Sequence, residues 1–372
     1  MRVGMFTYGM AENLTGIGRY AVELTCALRR VDPNIEIVLL NPYPESKLAW
    51  YRDFETYPVP SLKKLPAVMA IGSGVLAGAA RRLKLDVLHD PCGIAPFLAP
   101  RFGVRRIVTV HDAIPRTLPH TQPLLTRIVF RTSLRAARWS ADAILTVSTS
   151  ARDDLVHHLG YRADSVHVTS NGVHYPSDDD LRRYRSRLPE VCERLGITAP
   201  YLFWVGGPNP RKNLGTLVRT FGELRQRGHD LCLVLAGPGL VDLGAVQAAM
   251  REFGTSVVVP GHVDDEALHV LYTGTAALVF PSLYEGFGLP VLEAMSHAAP
   301  VVASNRSSLP EIVGDAGLLV DPNDVPALAD AVQQVVEDEN VRGRLARGAR
   351  EKSRQFTWER VASGCLEVYC AG

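Results

Sequence analysis

A regular alternation of short apolar runs with segments of helical periodicity constrains the fold of this chain more than any other feature. Six apolar runs lie before residue 170 and six more lie after residue 200. Such alternation predicts parallel sheets with helices on both faces, and hence two doubly wound, Rossmann-like α/β domains. The runs predicted as strands are Val3–Thr7, Ile35–Leu40, Val87–His89, Ile107–Val110, Ile144–Val147, Val166–Thr169, Leu202–Val205, Leu231–Ala236, Val257–Val259, Ala277–Phe280, Val301–Ala303 and Leu318–Val320.

The length of the chain and its most hydrophilic segment also indicate two domains. At roughly 150 residues per domain, 372 residues suggest two domains or three. Residues 177–190 hold three Asp and then four Arg, so residues 177–198 are interpreted as a surface connection between domains at 1–176 and 199–355. Asp178-Asp179-Asp180 has the D-x-D spacing of some metal sites, but in such a connection it is interpreted as a solvated turn. No metal site is predicted.

The composition excludes several classes of protein. With 47% hydrophobic and 21% charged residues, the chain is typical of a soluble globular protein and not of a disordered or collagen-like one. Its 40 Lys and Arg nearly cancel its 39 Asp and Glu, so the overall charge does not indicate a nucleic-acid partner. The six cysteines form no C-x-x-C pair, and no signal-peptide-like apolar region follows Met1, which together predict a cytoplasmic protein.

Positive charge is concentrated in one part of the sequence. Residues 56–141 contain thirteen Lys and Arg against three Asp, a net charge of +10. Two interpretations stay open: acids elsewhere in the fold neutralise these cations, or this domain docks on an anionic membrane surface or a phosphate-bearing acceptor. Five cations flank the apolar stretch Leu65–Ala80, which is long enough for an interfacial helix: Lys63, Lys64, Arg81, Arg82 and Lys84. Four more recur on one predicted helix face: Arg127, Arg131, Arg135 and Arg138.

The first motif is Thr15-Gly16-Ile17-Gly18-Arg19-Tyr20, ahead of a helix predicted to begin near Tyr20. Glycines let backbone N–H groups approach a phosphate, and a helix N-terminus favours the anion. With Ala21 the segment also fits the dinucleotide pattern G-x-G-x-x-A, which needs an acid at the end of the second strand. That strand ends in Asn41, so a dehydrogenase is disfavoured. A glycine-rich surface loop is the alternative.

The second motif, His111-Asp112, directly follows the predicted strand Ile107–Val110. Ligands of open α/β sheets bind at the carboxyl ends of the strands. An imidazole at that position can donate to a sugar hydroxyl or help to position a leaving group. A structural histidine in a loop is the alternative.

The third motif runs from Gly206 to Asn213 and follows the predicted strand Leu202–Val205. Its adjacent cations, Arg211 and Lys212, could neutralise a diphosphate as its bond to a sugar breaks. Preorganised charge of this kind is often the largest catalytic contribution, at about 3–4 kcal/mol per lost donor. An exposed basic helix start is the alternative, although cations near a helix N-terminus are electrostatically unfavourable.

The fourth motif runs from Glu285 to Glu293 and follows the predicted strand Ala277–Phe280. Pro290 fits the first turn of a helix, which places Glu293 on that turn. Two carboxylates eight residues apart, with Gly286 and Gly288 exposing backbone amides near the first of them, suit a hydroxylated ligand. Structural carboxylates at a helix start are the alternative.

Together these motifs resemble the nucleotide-sugar glycosyltransferases of family four, which retain anomeric configuration and have the two-domain GT-B fold. The resemblance covers nearly the whole chain, and its most specific parts are the E-x7-E element Glu285…Glu293 and the segment Pro210–Asn213. Further agreements are Val110–Pro115, Asn171–Val173, Gly237–Gly239, Leu309–Val313 and Phe356–Trp358.

The resemblance implies a role for each motif. Glu293 would hold the donor ribose and Glu285 the transferred sugar, while Arg211 and Lys212 would bind the diphosphate with backbone help from Gly16. His111 would face the sugar near the reacting carbon. Further implied donor-binding residues are Gly18, Gly206, Gly237, Phe287, Gly288 and Leu289. Many members carry an Arg where this chain has Gly207, so the diphosphate contacts would depend on Arg211 and Lys212.

The resemblance also implies an activity and its partners. Residues 1–176 would face the acceptor, residues 199–355 would bind the nucleotide sugar, and residues 356–372 would form a helix that returns to the N-terminal domain. The reaction would be a metal-independent, retaining transfer of a hexosyl group to a glycan, lipid-linked or small-molecule hydroxyl acceptor, with no cofactor. GDP-mannose is the first candidate donor, followed by UDP- and dTDP-hexoses. A Rossmann-type oxidoreductase or epimerase and a non-catalytic nucleotide-sugar binding protein are the alternatives.

Overall fold

The computed structural model describes residues 1–12, 14–95, 97–117, 124–198 and 200–371. Within it the chain divides into two compact units. The first comprises Met1–Gly172 and Trp358–Gly372, and the second comprises Val173–Thr357.

The first unit is built on seven parallel strands in the order β3-β2-β1-β4-β5-β6-β7. Its strands are β1 (Arg2–Phe6), β2 (Glu36–Asn41), β3 (Glu55–Pro58), β4 (Val87–Asp90), β5 (Arg105–Val110), β6 (Ala143–Thr146) and β7 (Val166–Val168). Its helices up to β7 are α1 (Gly16–Val31), α2 (Leu65–Leu83), α3 (Ile114–Thr117), α4 (Leu124–Ser140) and α5 (Thr149–Leu159). Strand side chains such as Phe6, Leu40 and Val108 are buried against helix residues such as Leu76 and Leu134.

The second unit is built on six parallel strands in the order β10-β9-β8-β11-β12-β13. Its strands are β8 (Tyr201–Val205), β9 (Cys232–Ala236), β10 (Val257–Gly261), β11 (Ala277–Phe280), β12 (Val301–Ser304) and β13 (Leu318–Val320). Its helices are α6 (Asp178–Leu195), α7 (Leu214–Gln226), α8 (Gly244–Phe253), α9 (Asp265–Gly274), α10 (Leu289–Ser296), α11 (Leu309–Val313), α12 (Val325–Glu337) and α13 (Glu339–Ser353). The predicted pair of parallel-sheet α/β domains is therefore confirmed.

Every predicted strand coincides with an observed strand to within two residues at each end. The strand that the sequence did not reveal is β3, at the edge of the first sheet. Its residues are mostly exposed and it ends in Pro58, as edge strands often do. The sequence therefore lacked the apolar run that marks a central strand.

The hydrophilic segment 177–198 differs from its interpretation as a linker, because most of it forms α6 within the second unit. Ser177 and Asp180 form a reciprocal capping box that satisfies backbone donors at the helix start. Asp178-Asp179-Asp180 is therefore a solvated turn, as predicted, but it is the first turn of a helix and not part of a linker. The buried side chains Leu181, Tyr184 and Val191 give this charged helix one apolar face, which lies towards α9.

The chain ends with α14 (Trp358–Cys370), which belongs to the first unit and packs against α1. Trp358 lies 6.0 Å from the ring of Tyr20, and Glu359 pairs with Arg30. Within the described residues, no helix is both long and apolar enough to cross a membrane.

Candidate functional site

The central feature of the second unit is a buried carboxylate held between two cations. Arg211 and Lys212 lie in a 3₁₀ turn after β8, and Glu285 lies in the loop after β11, the neighbouring strand. Arg211 Nη1 donates to Glu285 Oε2 at 2.6 Å, and Lys212 Nζ donates to Glu285 Oε1 at 2.7 Å. Because neighbouring parallel strands end at the same edge of a sheet, two distant motifs form one cluster.

Burial and charge act against each other in this cluster. Only 5% of Glu285 and 7% of Lys212 are exposed. Burial alone would raise the pKa of Glu285, but Lys212 and Arg211 outweigh it and hold that pKa below its ordinary value. Burial lowers the pKa of Lys212, and Arg211 adds to this effect although Glu285 opposes it. Two cations thus share one carboxylate, and the cluster keeps a net positive charge that suits an anionic ligand.

Contacts to neighbouring groups fix the geometry of this cluster. Arg211 Nη1 also donates to the Tyr284 carbonyl at 2.9 Å, and Lys212 Nζ lies 4.6 Å from the centre of the Phe280 ring. The backbone N–H of Glu285 donates to Ser307 Oγ at 2.8 Å. The cluster is therefore held rigidly, as electrostatic catalysis requires.

Gly206 and Gly237 lie at the carboxyl ends of the adjacent strands β8 and β9, and each is required by close approach. Gly237 has φ of 139°, and a Cβ atom there would lie 1.9 Å from the Gly206 carbonyl oxygen. A Cβ atom on Gly206, with φ of 157°, would lie 3.0 Å from the Trp204 ring. Both glycines therefore allow these two strand ends to pack closely, at the edge where the sequence predicts donor binding.

Glu293 lies on α10, whose first turn contains Pro290 as the sequence predicts. Tyr272 on α9 donates its hydroxyl to Glu293 Oε2 at 2.8 Å. Tyr272 is 1% exposed, so this contact fixes one carboxylate oxygen from the protein interior. Tyr272 could not be predicted as a site residue from the sequence, because a single tyrosine in a helix carries no motif.

The residues between the two glutamates turn the chain sharply into α10. Gly288 has φ of 111°, and a Cβ atom there would lie 2.6 Å from Leu309 Cδ2. Phe287 is buried with its ring 6.0 Å from that of Phe356, and Leu289 is half-buried at the start of α10. Ser308 Oγ donates to the carbonyls of Glu285 and Phe287, which ties this loop to the start of α11.

His111 lies in the first unit, directly after β5. Its Nε2 lies 2.8 Å from the Pro91 carbonyl oxygen, and the Tyr20 ring packs edge-on at 4.8 Å. Burial lowers the pKa of His111 to about 4, so the ring is neutral at pH 7. A carbonyl only accepts, so Nε2 carries the proton and Nδ1 carries the lone pair. Because the Pro91 carbonyl engages Nε2–H, the remaining ring nitrogen, Nδ1, can only accept a hydrogen bond in this tautomer.

Gly16 and Gly18 form the first turn of α1, which begins four residues earlier than predicted. Thr15 caps this helix by accepting from the Gly18 N–H at 3.4 Å. A Cβ atom on Gly18 would lie 3.0 Å from Leu14, whereas Gly16 is exposed with open space beside it. Because the first turn of a helix has backbone N–H groups without intrahelical partners, Gly16 lies where an anion would be stabilised.

The predicted residues thus fall into separate groups by unit. His111, Gly16 and Gly18 lie in the first unit, and all the other predicted site residues lie in the second. Asn41 ends β2 as predicted, and its Oδ1 accepts from the Tyr43 N–H at 2.6 Å, so no acid stands where a dinucleotide fold needs one. Within the described residues, no group of three or more His, Cys, Asp or Glu is arranged to hold a metal ion.

Comparison with known proteins agrees with the fold and the motifs. Residues 14–175 match the model of "Glycosyltransferase Family 4", and residues 199–338 match that of "Glycosyl transferases group 1". O-antigen chain mannosyltransferase B of Escherichia coli is 31% identical, with 99% of each chain covered. MMP alpha-(1->4)-mannosyltransferase of Mycolicibacterium hassiacum is 27% identical over 99% of this chain and 98% of the relative.

A solved structure supports the same fold. HepE of Anabaena, crystallised with UDP-glucose, superposes with a TM-score of 0.74 at 18% identity over 99% of each chain. At that identity the likeness concerns the fold alone. The match in sequence over almost the full length, together with the two parallel-sheet domains, identifies the chain as a GT-B glycosyltransferase that belongs to family 4.

Proposed function

We propose that this enzyme transfers a hexosyl group from a nucleotide-diphosphate sugar to a hydroxyl acceptor with retention of anomeric configuration, and that GDP-mannose is the donor. The observation that carries the proposal is the buried cluster of Arg211, Lys212 and Glu285. The choice of mannose is supported by the names of two relatives similar over nearly their whole length, both mannosyltransferases. The name of the first relative, an O-antigen chain mannosyltransferase, supports a role in polysaccharide formation.

In the proposed reaction the cluster supplies charge and position. Arg211 and Lys212 stabilise the negative charge that grows on the diphosphate as its bond to the sugar breaks. Glu285 accepts hydrogen bonds from sugar hydroxyls, and Glu293, oriented by Tyr272, accepts them from the ribose. Gly16, at the exposed start of α1, adds backbone N–H groups for a phosphate. Nδ1 of His111 accepts a hydrogen bond from a substrate hydroxyl. No carboxylate of the chain is assigned as a covalent nucleophile.

The donor is identified by two independent measurements. GDP, UDP and dTDP, each added in excess, should raise the unfolding temperature unequally, because a ligand at a hundredfold its dissociation constant adds about 2.7 kcal/mol. Release of nucleotide diphosphate from GDP-mannose, UDP-glucose and dTDP-glucose then measures catalysis. If GDP stabilises the protein but no nucleotide is released, the protein is a non-catalytic nucleotide-sugar binder. A preference for UDP-glucose would refute the choice of GDP-mannose as donor.

Lys212→Ala tests the electrostatic role. We expect turnover to fall by roughly 100-fold or more, the scale for one lost preorganised donor. Lys352→Ala, in the last turn of α13, is a control that removes the same charge from a residue outside the cluster. EDTA should leave the wild-type rate unchanged, and strict dependence on an added divalent cation would refute the metal-independent mechanism.

We further propose that the first unit attaches to an anionic membrane at the cytoplasmic face, near a lipid-linked acceptor. The exposed face of α4 carries Arg131, Arg135 and Arg138, between the exposed apolar side chains Ile128 and Trp139. Within the described residues, none of these three arginines lies within 4.0 Å of an acidic oxygen. For these three arginines, therefore, the described residues do not support the alternative that acidic side chains neutralise the charge. The side chain of Arg127 lies outside the described part of the chain.

Further exposed apolar side chains and cations lie in other segments of the first unit. Ser133 Oγ contacts Met69 Sδ at 3.3 Å, which joins α4 to the predicted interfacial segment, observed as α2. Leu98 and Phe102 are 70% and 53% exposed, and Arg81 lies 5.3 Å from the Phe102 ring. Exposed apolar side chains beside exposed cations are the combination that interfacial attachment uses. Two other cations in the region are paired, Lys63 with Glu45 and Arg101 with Asp142.

Sedimentation with vesicles tests this attachment. The protein should bind vesicles containing anionic phospholipid, and not neutral ones, and salt should weaken the binding. Arg131→Ser with Arg135→Ser should weaken it roughly 30-fold, at about 1 kcal/mol per cation. Arg182→Ser with Arg185→Ser, on α6 of the second unit, is the control with the same change in charge. Equal binding to both kinds of vesicle would refute the membrane proposal and leave a soluble anionic acceptor.

A further inference from the structure

A buried carboxylate, Asp90, lies at the carboxyl end of β4 and is fully enclosed. It accepts three backbone hydrogen bonds from the loop that follows. Oδ1 accepts from the Cys92 N–H at 2.9 Å, and Oδ2 accepts from the N–H groups of Ile94 at 2.7 Å and Ala95 at 2.6 Å. Burying a charge is costly unless such donors compensate it, so the arrangement needs a reason.

The loop that Asp90 holds is pressed against β5. Gly93 has φ of 71°, and a Cβ atom there would lie 2.9 Å from the Thr109 carbonyl oxygen. Cys92 Sγ donates to the Tyr8 carbonyl at 3.2 Å, which ties the loop to the segment after β1. These contacts hold the loop against the carboxyl ends of three adjacent strands, β1, β4 and β5.

Pro91, the first residue of this loop, contacts His111. Its carbonyl oxygen accepts from His111 Nε2 at 2.8 Å. This bond fixes both the ring orientation and the tautomer, because the proton on Nε2 leaves the lone pair on Nδ1. Asp90 thus determines where the partner of His111 lies, although Asp90 itself makes no described contact with the ring.

We infer that Asp90 is a positioning residue that acts through the Pro91 carbonyl to hold His111 as the Nε2–H tautomer, with Nδ1 available to a substrate hydroxyl. The inference rests on the proposed placement of His111 at the reacting sugar. No sequence motif reveals this role, since Asp90 precedes His111 by twenty-one positions and its described hydrogen bonds are to backbone N–H groups.

Asparagine cannot replace Asp90 in this role, although its shape is nearly the same. The carboxylate offers two oxygens to three N–H donors, with one donor on Oδ1 and two on Oδ2. In Asp90→Asn one of these oxygens becomes an NH₂ group, which would face at least one backbone N–H. The loop must then shift, and the Pro91 carbonyl moves with it.

The tautomer of His111 is measured directly by NMR of protein labelled with ¹⁵N-histidine. The ring nitrogen shifts distinguish a protonated from an unprotonated nitrogen, and the spectrum of His111→Gln identifies the His111 signals among those of the 11 histidines. We expect a single Nε2–H tautomer in the wild type and a mixture of tautomers in Asp90→Asn. An Nδ1–H tautomer in the wild type overturns the inference without any variant.

Kinetics give the second measurement. Asp90→Asn should lower kcat roughly tenfold to a hundredfold, as displacement by about 1 Å does in other enzymes, and leave the donor KM within twofold. Asp142→Asn is the matched control, since Asp142 Oδ2 also accepts a backbone N–H, from Arg106 at 2.8 Å, just before β6 begins. It should leave both kcat and the tautomer unchanged.

Gly93→Ala keeps the inference testable if Asp90→Asn does not fold. It displaces the same loop through the contact with Thr109 and should produce the same mixture of tautomers. A variant whose loop is disturbed but whose His111 stays entirely Nε2–H overturns the inference. If wild-type protein releases no nucleotide from any donor, the proposed function fails, whereas the tautomer measurement still decides the role of Asp90.

Discussion

Replacement of Glu285 by Gln should destabilise the second unit strongly, whatever it does to catalysis. Glutamine keeps the shape of the side chain but removes the charge that lies 2.6 Å from Arg211 and 2.7 Å from Lys212. Glu285 and Lys212 are almost completely buried, so water cannot compensate. Removing one partner of a buried ion pair costs about 3–5 kcal/mol, because the other charge stays buried without compensation. We expect the free energy of unfolding to fall by that amount.

Urea unfolding of four proteins measures this cost. The wild type, Glu285→Gln, Lys212→Met and the double variant form a cycle in which methionine keeps the length of lysine. The double variant should be more stable than the sum of the single losses predicts, with a coupling of at least about 1 kcal/mol. A Glu285→Gln protein within about 1 kcal/mol of the wild type at pH 7, or strictly additive losses, would refute the assigned ion pairs.

The same comparison has a defined pH dependence. The cations lower the pKa of Glu285 against the effect of burial, so its ionisation stabilises the fold above the ordinary glutamate pKa of about 4.3. The difference in stability between wild type and Glu285→Gln should therefore stay constant from pH 7 to about pH 5. It should shrink as the pH falls below about 4.3 and through the lowered folded value. A difference that grows on acidification would contradict this linkage.

Further predictions concern residues around the cluster. Tyr272→Phe should raise the donor KM roughly tenfold, at about 1.5 kcal/mol for a hydrogen bond to a charged group, and leave kcat nearly unchanged in initial-rate assays. Glu293→Ala should raise the KM further, and a KM unaffected by either change would contradict their assignment to donor binding. Gly237→Ala should lower the thermal midpoint, since its Cβ would overlap the Gly206 carbonyl, whereas Gly207→Ala, with open space around it, should match the wild type in the same melt.

The central strands could be predicted from the sequence because burial on both faces leaves continuous apolar runs. Val301–Ser304 and Ala277–Phe280 are completely buried, and composition alone marks them. The edge strand Glu55–Pro58 lacks that mark, because its exposed residues need not be apolar. An apolar run in the sequence therefore predicts a buried strand, whereas an exposed strand leaves no such run.

Helix α6 shows the opposite failure. Its charged residues suggested a linker, but Leu181, Tyr184 and Val191 recur at helical spacing, and Ser177 with Asp180 provides the cap. Those signals were present in the sequence and were outweighed by the dense charge. Packing against α9 makes the helix stable, because a single apolar face suffices when a neighbouring helix covers it.

The sequence by itself determined the candidate site residues, because Arg211, Lys212, Glu285 and Glu293 occur in motifs with recognisable spacing. Only the tertiary structure decided how they are paired. Glu285 meets both cations because β8 and β11 are neighbours in the sheet, although Val205, the last residue of β8, and Ala277, the first residue of β11, are 72 positions apart.

Neither Asp90 nor Tyr272 could be predicted from the sequence as a residue of the site. Asp90 accepts three hydrogen bonds from loop backbone, and Tyr272 donates one to a glutamate oxygen. Such contacts leave no periodicity or spacing, because they join positions that only the folded sheets and helices bring together. The apolar pattern therefore specifies the frame and the motifs specify the chemical groups, whereas the partner of each buried charge is decided by which strands and helices become neighbours.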